Sequence, residues 1–363
     1  MKSPSVRKRV ALFFAASVIA TLALLAPGCG LGDFEPRSLI NSVRIIASRA
    51  DKPYAKPGET VTVELLAHDG RTDRTRPMRI FWIPVPCINP RGDLYYDCFR
   101  TLLSATSGGD AGAAVGTNSD AGDAGTPAIP AAALALIKPG IDLSPYLPTG
   151  PSFSVTLPAD IVTSHPEVKG AEDPYGLAIL FNIACAGQVQ LLEIDPNDES
   201  PQVVPIGCFD EKGNQLPPSD YVIGFTRVYA YDTVTNQNPE IQGVTFDGVA
   251  VDPAVGITLE RCTTSNEADC PKRKLDVIVP PSSQEVRPRK SGDGKEQISA
   301  QFSTTRGNFE NGTRLLYDTL RGKISDTTVE FQPSVDQGVG TIFIVVKDNR
   351  GGANWLKLPV NVR

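Results

Sequence analysis

The chain has 363 residues and sets 35 Lys and Arg against 41 Asp and Glu, a formal net charge of −6. That acidic balance argues against nucleic acid or anionic lipid headgroups as partners. Gly and Pro together number 63, above the average of about 12%, so a length suited to about two domains points to turn-rich, β-rich architecture.

Lys2, Arg7, Lys8 and Arg9 form a positive head, and residues 10–26 are an apolar run broken by Ser17 and Thr21. This is the layout of a secretory signal. The run falls a little short of the roughly 20 residues a bilayer span requires, so residues 1–28 are expected to be a cleaved export segment. Without its four cations the mature chain carries −10. The junction Ala26-Pro27-Gly28-Cys29 resembles a bacterial lipoprotein signal, in which the Cys thiol is diacylated and becomes the mature N-terminus. The resemblance implies lipidation at Cys29 and a membrane partner held through that lipid. Leu25 stands four places before the Cys where the pattern prefers three, and an ordinary signal peptidase cutting the same bond without lipid is the alternative. Gly30 lacks the Asp that retains some bacterial lipoproteins at the inner membrane, so the expected location is the cell envelope, anchored at the outer membrane.

With Cys29 lipidated, six cysteines remain: Cys87, Cys98, Cys185, Cys208, Cys262 and Cys270. An even number in an oxidising compartment predicts three disulfides. Sequential pairing is expected, Cys87–Cys98, Cys185–Cys208 and Cys262–Cys270, because each pair stays within one local segment. Each contributes on the order of 2–4 kcal/mol by restricting the unfolded chain. The chain has no Cys-x-x-Cys and its histidines are His68 and His165, so neither a metal site nor a cofactor is expected.

Residues 29–37 form a short tether, of which residues 30–37 span at most about 30 Å when extended. A first β-sandwich domain is expected over residues 38–232. Its strands begin at 43–47 and at 60–66, where Val61, Val63 and Leu65 alternate with polar neighbours after the Lys56-Pro57-Gly58-Glu59 turn. Residues 79–85 make a third, with Trp82 read as a core residue and a ligand-stacking role as the alternative. Within residues 103–133 the stretches 107–112 and 120–125 repeat small and acidic residues without large apolar side chains, and the segment is expected to be a disordered insertion. Asp110, Asp120 and Asp123 within it fit no calcium-binding spacing. Strands resume at 153–157 and 176–185, the second apolar enough to be central, with 188–193 as its partner. Residues 195–200 read as a polar turn rather than a calcium loop, and 221–231 is the last strand of the domain.

Residues 232–239 are polar and end in Pro239, marking a boundary. A second sandwich is expected over residues 233–363, with strands at 241–246, 256–260 and 275–279. The basic clusters Lys272-Arg273-Lys274 and Arg287-Pro288-Arg289-Lys290 lack interleaved aromatics and read as solvated loops. Further on come residues 297–302, 304–309, Val329-Glu330-Phe331, 341–347, the turn Asp348-Asn349-Arg350-Gly351-Gly352, then Trp355 and 356–362. This order resembles the immunoglobulin-like and PKD-like domains of bacterial surface proteins, which end in strand, Asp-x-x-Gly-Gly turn and strand. The chain as a whole is similar to myxobacterial exported lipoproteins of uncharacterised function. The resemblance implies an all-β fold of two immunoglobulin-like β-sandwich domains, and its motifs are structural.

Catalytic signatures are missing: no Gly-x-Ser-x-Gly elbow, phosphate-binding loop or His-Glu-x-x-His pair occurs. His68 and His165 lie in polar stretches and are expected to be exposed loop residues rather than general bases. The first functional expectation is a tethered, non-catalytic binding, adhesion or spacer module, with an envelope protein or polysaccharide as partner. The second is a carbohydrate-binding module using Trp82, Trp355 or Tyr95-Tyr96 as platforms. The third is a hydrolase built on two carboxylates alone.

Overall fold

The computed structural model describes residues 37–98, 140–166, 171, 173–192, 204–264, 269–287 and 294–363. The signal segment, Cys29, the tether up to residue 36, the 103–133 insertion, the 195–200 turn and residues 288–290 of the second basic cluster lie outside the described residues. The architecture is all-β, with 47% of the described residues in strands.

The first half of the chain forms β1 (Val43–Ala50), β2 (Tyr54–Ala55), β3 (Thr60–Asp69), β4 (Arg79–Trp82), β5 (Cys87–Ile88), β6 (Ser152–Thr156), β7 (Gly176–Cys185), β8 (Gln188–Leu191), β9 (Ile206–Phe209) and β10 (Tyr221–Ala230). One layer runs β1-β3-β6; the facing layer runs β2-β10-β7-β4, with β5 also on β7. Alternation in β3 sends Val61, Val63 and Leu65 inward, where they meet Trp82, Val155, Leu180 and Val228. All ten residues of β7 are buried because both its faces are covered. Ala178 and Leu180 face the inter-sheet core, while Leu177, Ile179 and Phe181 pack under Cys87, Tyr95, Cys98 and Phe225. The strand expected to pair with β7 through residues 188–193 instead forms a separate hairpin of β8 with β9. Gly187, in the turn after β7, lies so close to Phe209 O that a Cβ would sit at 2.2 Å, so the chain folds onto β9 there.

The second half forms β11 (Gly243–Phe246), β12 (Val249–Val251), β13 (Ile257–Leu259), β14 (Arg273–Ile278), β15 (Val286–Arg287), β16 (Gly294–Lys295), β17 (Ile298–Thr304), β18 (Asn308–Phe309), β19 (Thr313–Asp318), β20 (Gly322–Lys323), β21 (Val329–Gln332), β22 (Gly338–Asp348) and β23 (Ala353–Val362). The layers are β12-β11-β14-β21-β18 and β13-β23-β22-β17-β19-β20, closed over a core that includes Leu275, Phe302, Phe309, Phe331, Ile344 and Leu358. The Asp-x-x-Gly-Gly turn joins β22 to β23. Asp348 Oδ1 accepts the N–H groups of Arg350 (2.7 Å) and Gly352 (2.8 Å), and a Cβ on Gly352 would fall 2.1 Å from Asp348 Oδ2. The cluster Lys272-Arg273-Lys274 is solvent-exposed as expected, but it is not a loop. Arg273 and Lys274 open β14, where Arg273 pairs with Asp247 and Lys272 with Glu310 and Glu330 on the solvent-facing end of the sheet.

The two sandwiches are braced against each other. Ile40, Ala47 and Leu66 pack on Phe343 and Val345, with Ile46 and Trp355 at the edge. Asn238, in the connecting segment, donates to Ala50 O (2.8 Å) and accepts from Ala353 N (2.9 Å). The entering segment behaves as a strap. Thr304 N donates to Ser38 O (2.7 Å) and Ile40 N to Thr304 O (2.8 Å). Ser38 Oγ donates to Asn308 Oδ1 (2.7 Å) and accepts Phe309 N (3.0 Å). Residues 38–40 therefore bond to the second sandwich before the chain starts β1 of the first.

Candidate functional site

Three disulfides close among the described residues in sequential order. Their Cα separations are 5.7 Å for Cys87–Cys98, 5.8 Å for Cys185–Cys208 and 5.4 Å for Cys262–Cys270. The second ties β7 to β9 within the core. The first closes the loop that follows β5 over the outer face of β7.

That loop carries a polar cluster. Asn89 (φ 48°), Gly92 (φ 64°) and Asp93 (φ 59°) all adopt left-handed backbone, which for Asn and Asp is uncommon and must be held by surrounding contacts. Asn89 Nδ2 donates to Ile161 O (2.7 Å) and its Oδ1 accepts Leu177 N (2.8 Å). Asp93 Oδ1 lies 3.0 Å from His165 Nε2, and Asp93 Oδ2 accepts the Tyr175 hydroxyl. The Tyr175 ring lies 4.6 Å from that of His165 and is flanked by Tyr229 and Tyr231. Burial and the neighbouring Asp93 carboxylate push the Tyr175 hydroxyl well above its ordinary range.

Neither histidine is the exposed loop residue expected. The His165 side chain is 5% exposed, because Asp93, distant in sequence, covers it. His68 lies within β3, its ring 5.2 Å from that of Phe343, and burial lowers its pKa, with Arg74 adding to the effect.

The stacking candidates are occupied. Trp82 is completely buried, its indole N–H donating to Gly150 O at 2.9 Å. Trp355 is half-buried beneath the Arg49 guanidinium, 4.3 Å from the ring centroid. Tyr95 stacks on Phe225 at 4.8 Å and meets Tyr96 edge-on. An open depression beside Trp355, at the sandwich junction, is lined by Arg49, Asp51, Thr62, Glu64, Ser152 and Asn238. Its polar groups largely bond to one another or to the backbone: Arg49 to Glu64 (2.7 Å) and Asn354 (2.6 Å), Asp51 to Thr62 N (2.8 Å).

A second charged cluster lies beside the segment joining the sandwiches. Glu296 Oε2 accepts Glu285 N (3.1 Å), and Glu296 Oε1 lies 3.1 Å from an Arg350 guanidinium nitrogen. Arg350 also donates to Gly294 O (2.8 Å), and Asn236 donates to Asp348 Oδ2 (3.2 Å). Burial, and next the repulsion of Asp348, push the Glu296 carboxyl up to about 7 despite Arg350. Asp348 is likewise raised by burial, against the N–H groups it accepts. The sequence singled out Asp348 and Arg350 as turn residues, and nothing in it marked Glu296. Among the described residues no cluster of His, Cys, Asp and Glu is arranged to hold a metal ion, and no helix is long and apolar enough to cross a membrane.

No protein-family model and no curated protein matches the chain. Among solved structures it is similar to dimeric latent PorU from Porphyromonas gingivalis, at 11% identity and a TM-score of 0.20, over 90% of this chain and 24% of that one. The chain thus spans about a quarter of that protein, and a likeness at this level carries no argument about activity.

Proposed function

We propose that the protein is a membrane-tethered lipoprotein of the cell envelope whose two sandwiches serve as one rigid, non-catalytic binding or spacer unit. The observation that supports this most is the bracing at the junction. The Ser38–Thr304 strap, the apolar seam around Phe343 and the Asn238 bridge convert two sandwiches into a stiff body beginning a few residues after Cys29. Relative domain motion is the default where such an interface is small and polar, and here it is apolar and cross-linked by backbone bonds. Three local disulfides suit an oxidising compartment. Against the carbohydrate-binding alternative, Trp82 lies in the core and Trp355 lies under Arg49. The carboxylates raised by burial, Glu296 and Asp348, are engaged by Arg350, Asn236 and backbone N–H groups rather than facing a cleft.

The test is fractionation of the native host expressing wild-type protein and Cys29→Ser. Wild type is expected with the outer membrane and the variant in the soluble periplasmic or released fraction. Identical distribution of the two would refute the tether.

A further inference from the structure

We propose that β6 is a pairing edge through which two copies of this chain join their first sandwiches, antiparallel and about a two-fold axis at Ser154. β6 (Ser152–Thr156) ends the β1-β3-β6 layer, with β3 as its neighbour. The bonds at its two ends show which backbone groups face β3: Leu157 N donates to Glu59 O (2.9 Å) and Leu65 N to Pro151 O (2.7 Å). Hydrogen bonding alternates along an antiparallel ladder, so Phe153 and Val155 also turn their backbone groups to β3. Ser152, Ser154 and Thr156 turn theirs outward, and among the described residues none of these outward groups has a hydrogen-bond partner. Open edges are ordinarily blunted by charge, proline or a bulge. Ser-Phe-Ser-Val-Thr contains neither charge nor proline, and its register with β3 is unbroken. Other edges are blunted: β1 is bulged between Ile45 and Ala47 and packs on the second sandwich, residues 148–150 bond along β4, and Asp252 and Pro253 follow β12.

Register makes a second copy the occupant. Pro151 and Pro158 bracket the strand, so the free edge is centred on Ser154. In an antiparallel pair through Ser154, that residue faces its own copy and Ser152 faces Thr156 of the other, and every outward N–H meets an outward C=O. A slip of one residue sets outward groups opposite inward-facing ones, and a slip of two leaves an end unpaired. The side chains match as well. On the solvent face, Ser154 and Thr62 (2.9 Å) and Thr156 and Thr60 (2.9 Å) form hydroxyl rungs, which the second copy continues without setting like charges opposite each other. The nearest charge, Glu64 beside Ser152, is held by Arg49. On the inner face, Phe153 is half-buried and stacks on Trp82, 5.6 Å between ring centroids. The pairing sets it beside Val155 of the second copy and covers apolar surface that one copy leaves exposed. The contact is isologous and closes on itself. A seam of five residues a side is small beside the roughly 1,200–2,000 Å² of a stable interface, so the dimer is weak and reversible. The inference is independent of lipidation at Cys29.

Sedimentation velocity of the chain purified from its native host with Cys29→Ser, from micromolar to millimolar concentration, tests the proposal without lipid-driven association. This parent is expected to show a reversible monomer–dimer equilibrium. Ser154→Pro deletes an outward N–H and leaves the ladder with β3 intact; it is expected to weaken the dimer by roughly tenfold or more, because each copy loses a donor at the seam. Ser154→Lys and Ser154→Asp each set like charges across the two-fold, and each alone is expected to dimerise less than the parent. An equimolar mixture of the two is expected to restore the dimer to the parent's level or above. That rescue requires folded protein with the two residues at position 154 directly opposed, so it separates pairing from loss of fold. A parent that stays monomeric throughout, leaving the edge to a strand of another protein, a dimer indifferent to all three substitutions, or Lys and Asp variants that do not recover on mixing would each overturn the proposal.

Discussion

Glu296→Gln is the substitution that most sharply separates two opposing electrostatic effects. The Glu296 side chain is 1% exposed, and its carboxyl is pushed up to about 7 by burial first and then by Asp348, while Arg350 at 3.1 Å pulls the other way. In the unfolded chain the same carboxyl titrates at its ordinary value of 4.5. The folded state thus keeps a proton that the unfolded state releases between those two values. Stability from this group is complete below about 4.5 and is lost as pH rises through about 7. At ~1.4 kcal/mol per pKa unit the loss is on the order of 3 kcal/mol. His68, whose pKa is lowered by burial, acts in the opposite sense below its ordinary value, so the wild-type curve alone mixes the two. Gln mimics the protonated Glu, and subtracting the variant removes His68. Urea denaturation at pH 5 and pH 7.5 should show the wild type losing about 2 kcal/mol more than Glu296→Gln, most of the total, across the interval. If the Arg350 pair dominated instead, Glu296 would be ionised when folded. The wild type would then hold or gain stability relative to the variant, which would refute the reasoning.

Ser38→Ala removes the hydroxyl that bonds Asn308 and Phe309 N and should cost about 1–2 kcal/mol, with faster exchange at the Phe309 amide identifying the strap as the site of damage. Trp82→Ala, at a fully buried position, should cost about 3–5 kcal/mol through the cavity and the unpaired Gly150 carbonyl, read as a lowered denaturation midpoint. Gly352→Ala places a Cβ 2.1 Å from Asp348 Oδ2 and should destabilise the β22–β23 hairpin by at least about 1–3 kcal/mol. An alanine variant as stable as wild type would contradict the described turn.

The features readable in the sequence are those encoded by neighbouring residues. The period-2 pattern of Val61, Val63 and Leu65 marked the inward face of β3, and the unbroken apolar run of β7 marked a strand covered on both sides. The disulfides were legible because each closes within one segment. What escaped depends on contacts between distant residues. His165 looks solvated beside Ser164 and Pro166 until Asp93 is brought over it. The strap is invisible because Ser38 meets partners about 270 positions away. Glu296 stands among polar neighbours, Lys295 and Gln297, and its burial follows from Arg350 and the Asp348 turn closing over it. The 188–193 strand was assigned to the wrong partner because sequence adjacency to β7 outweighed a hairpin with β9 that only the fold reveals.

The most direct test of the account is the intact mass of the mature protein from its native host, with free thiols alkylated before and after reduction. The account predicts a chain that starts at Cys29 and carries acyl groups, with no alkylation before reduction and six sites after it, matching the three closed pairs. An unacylated chain with an alkylatable Cys29 would contradict the tethered reading and mean a released protein.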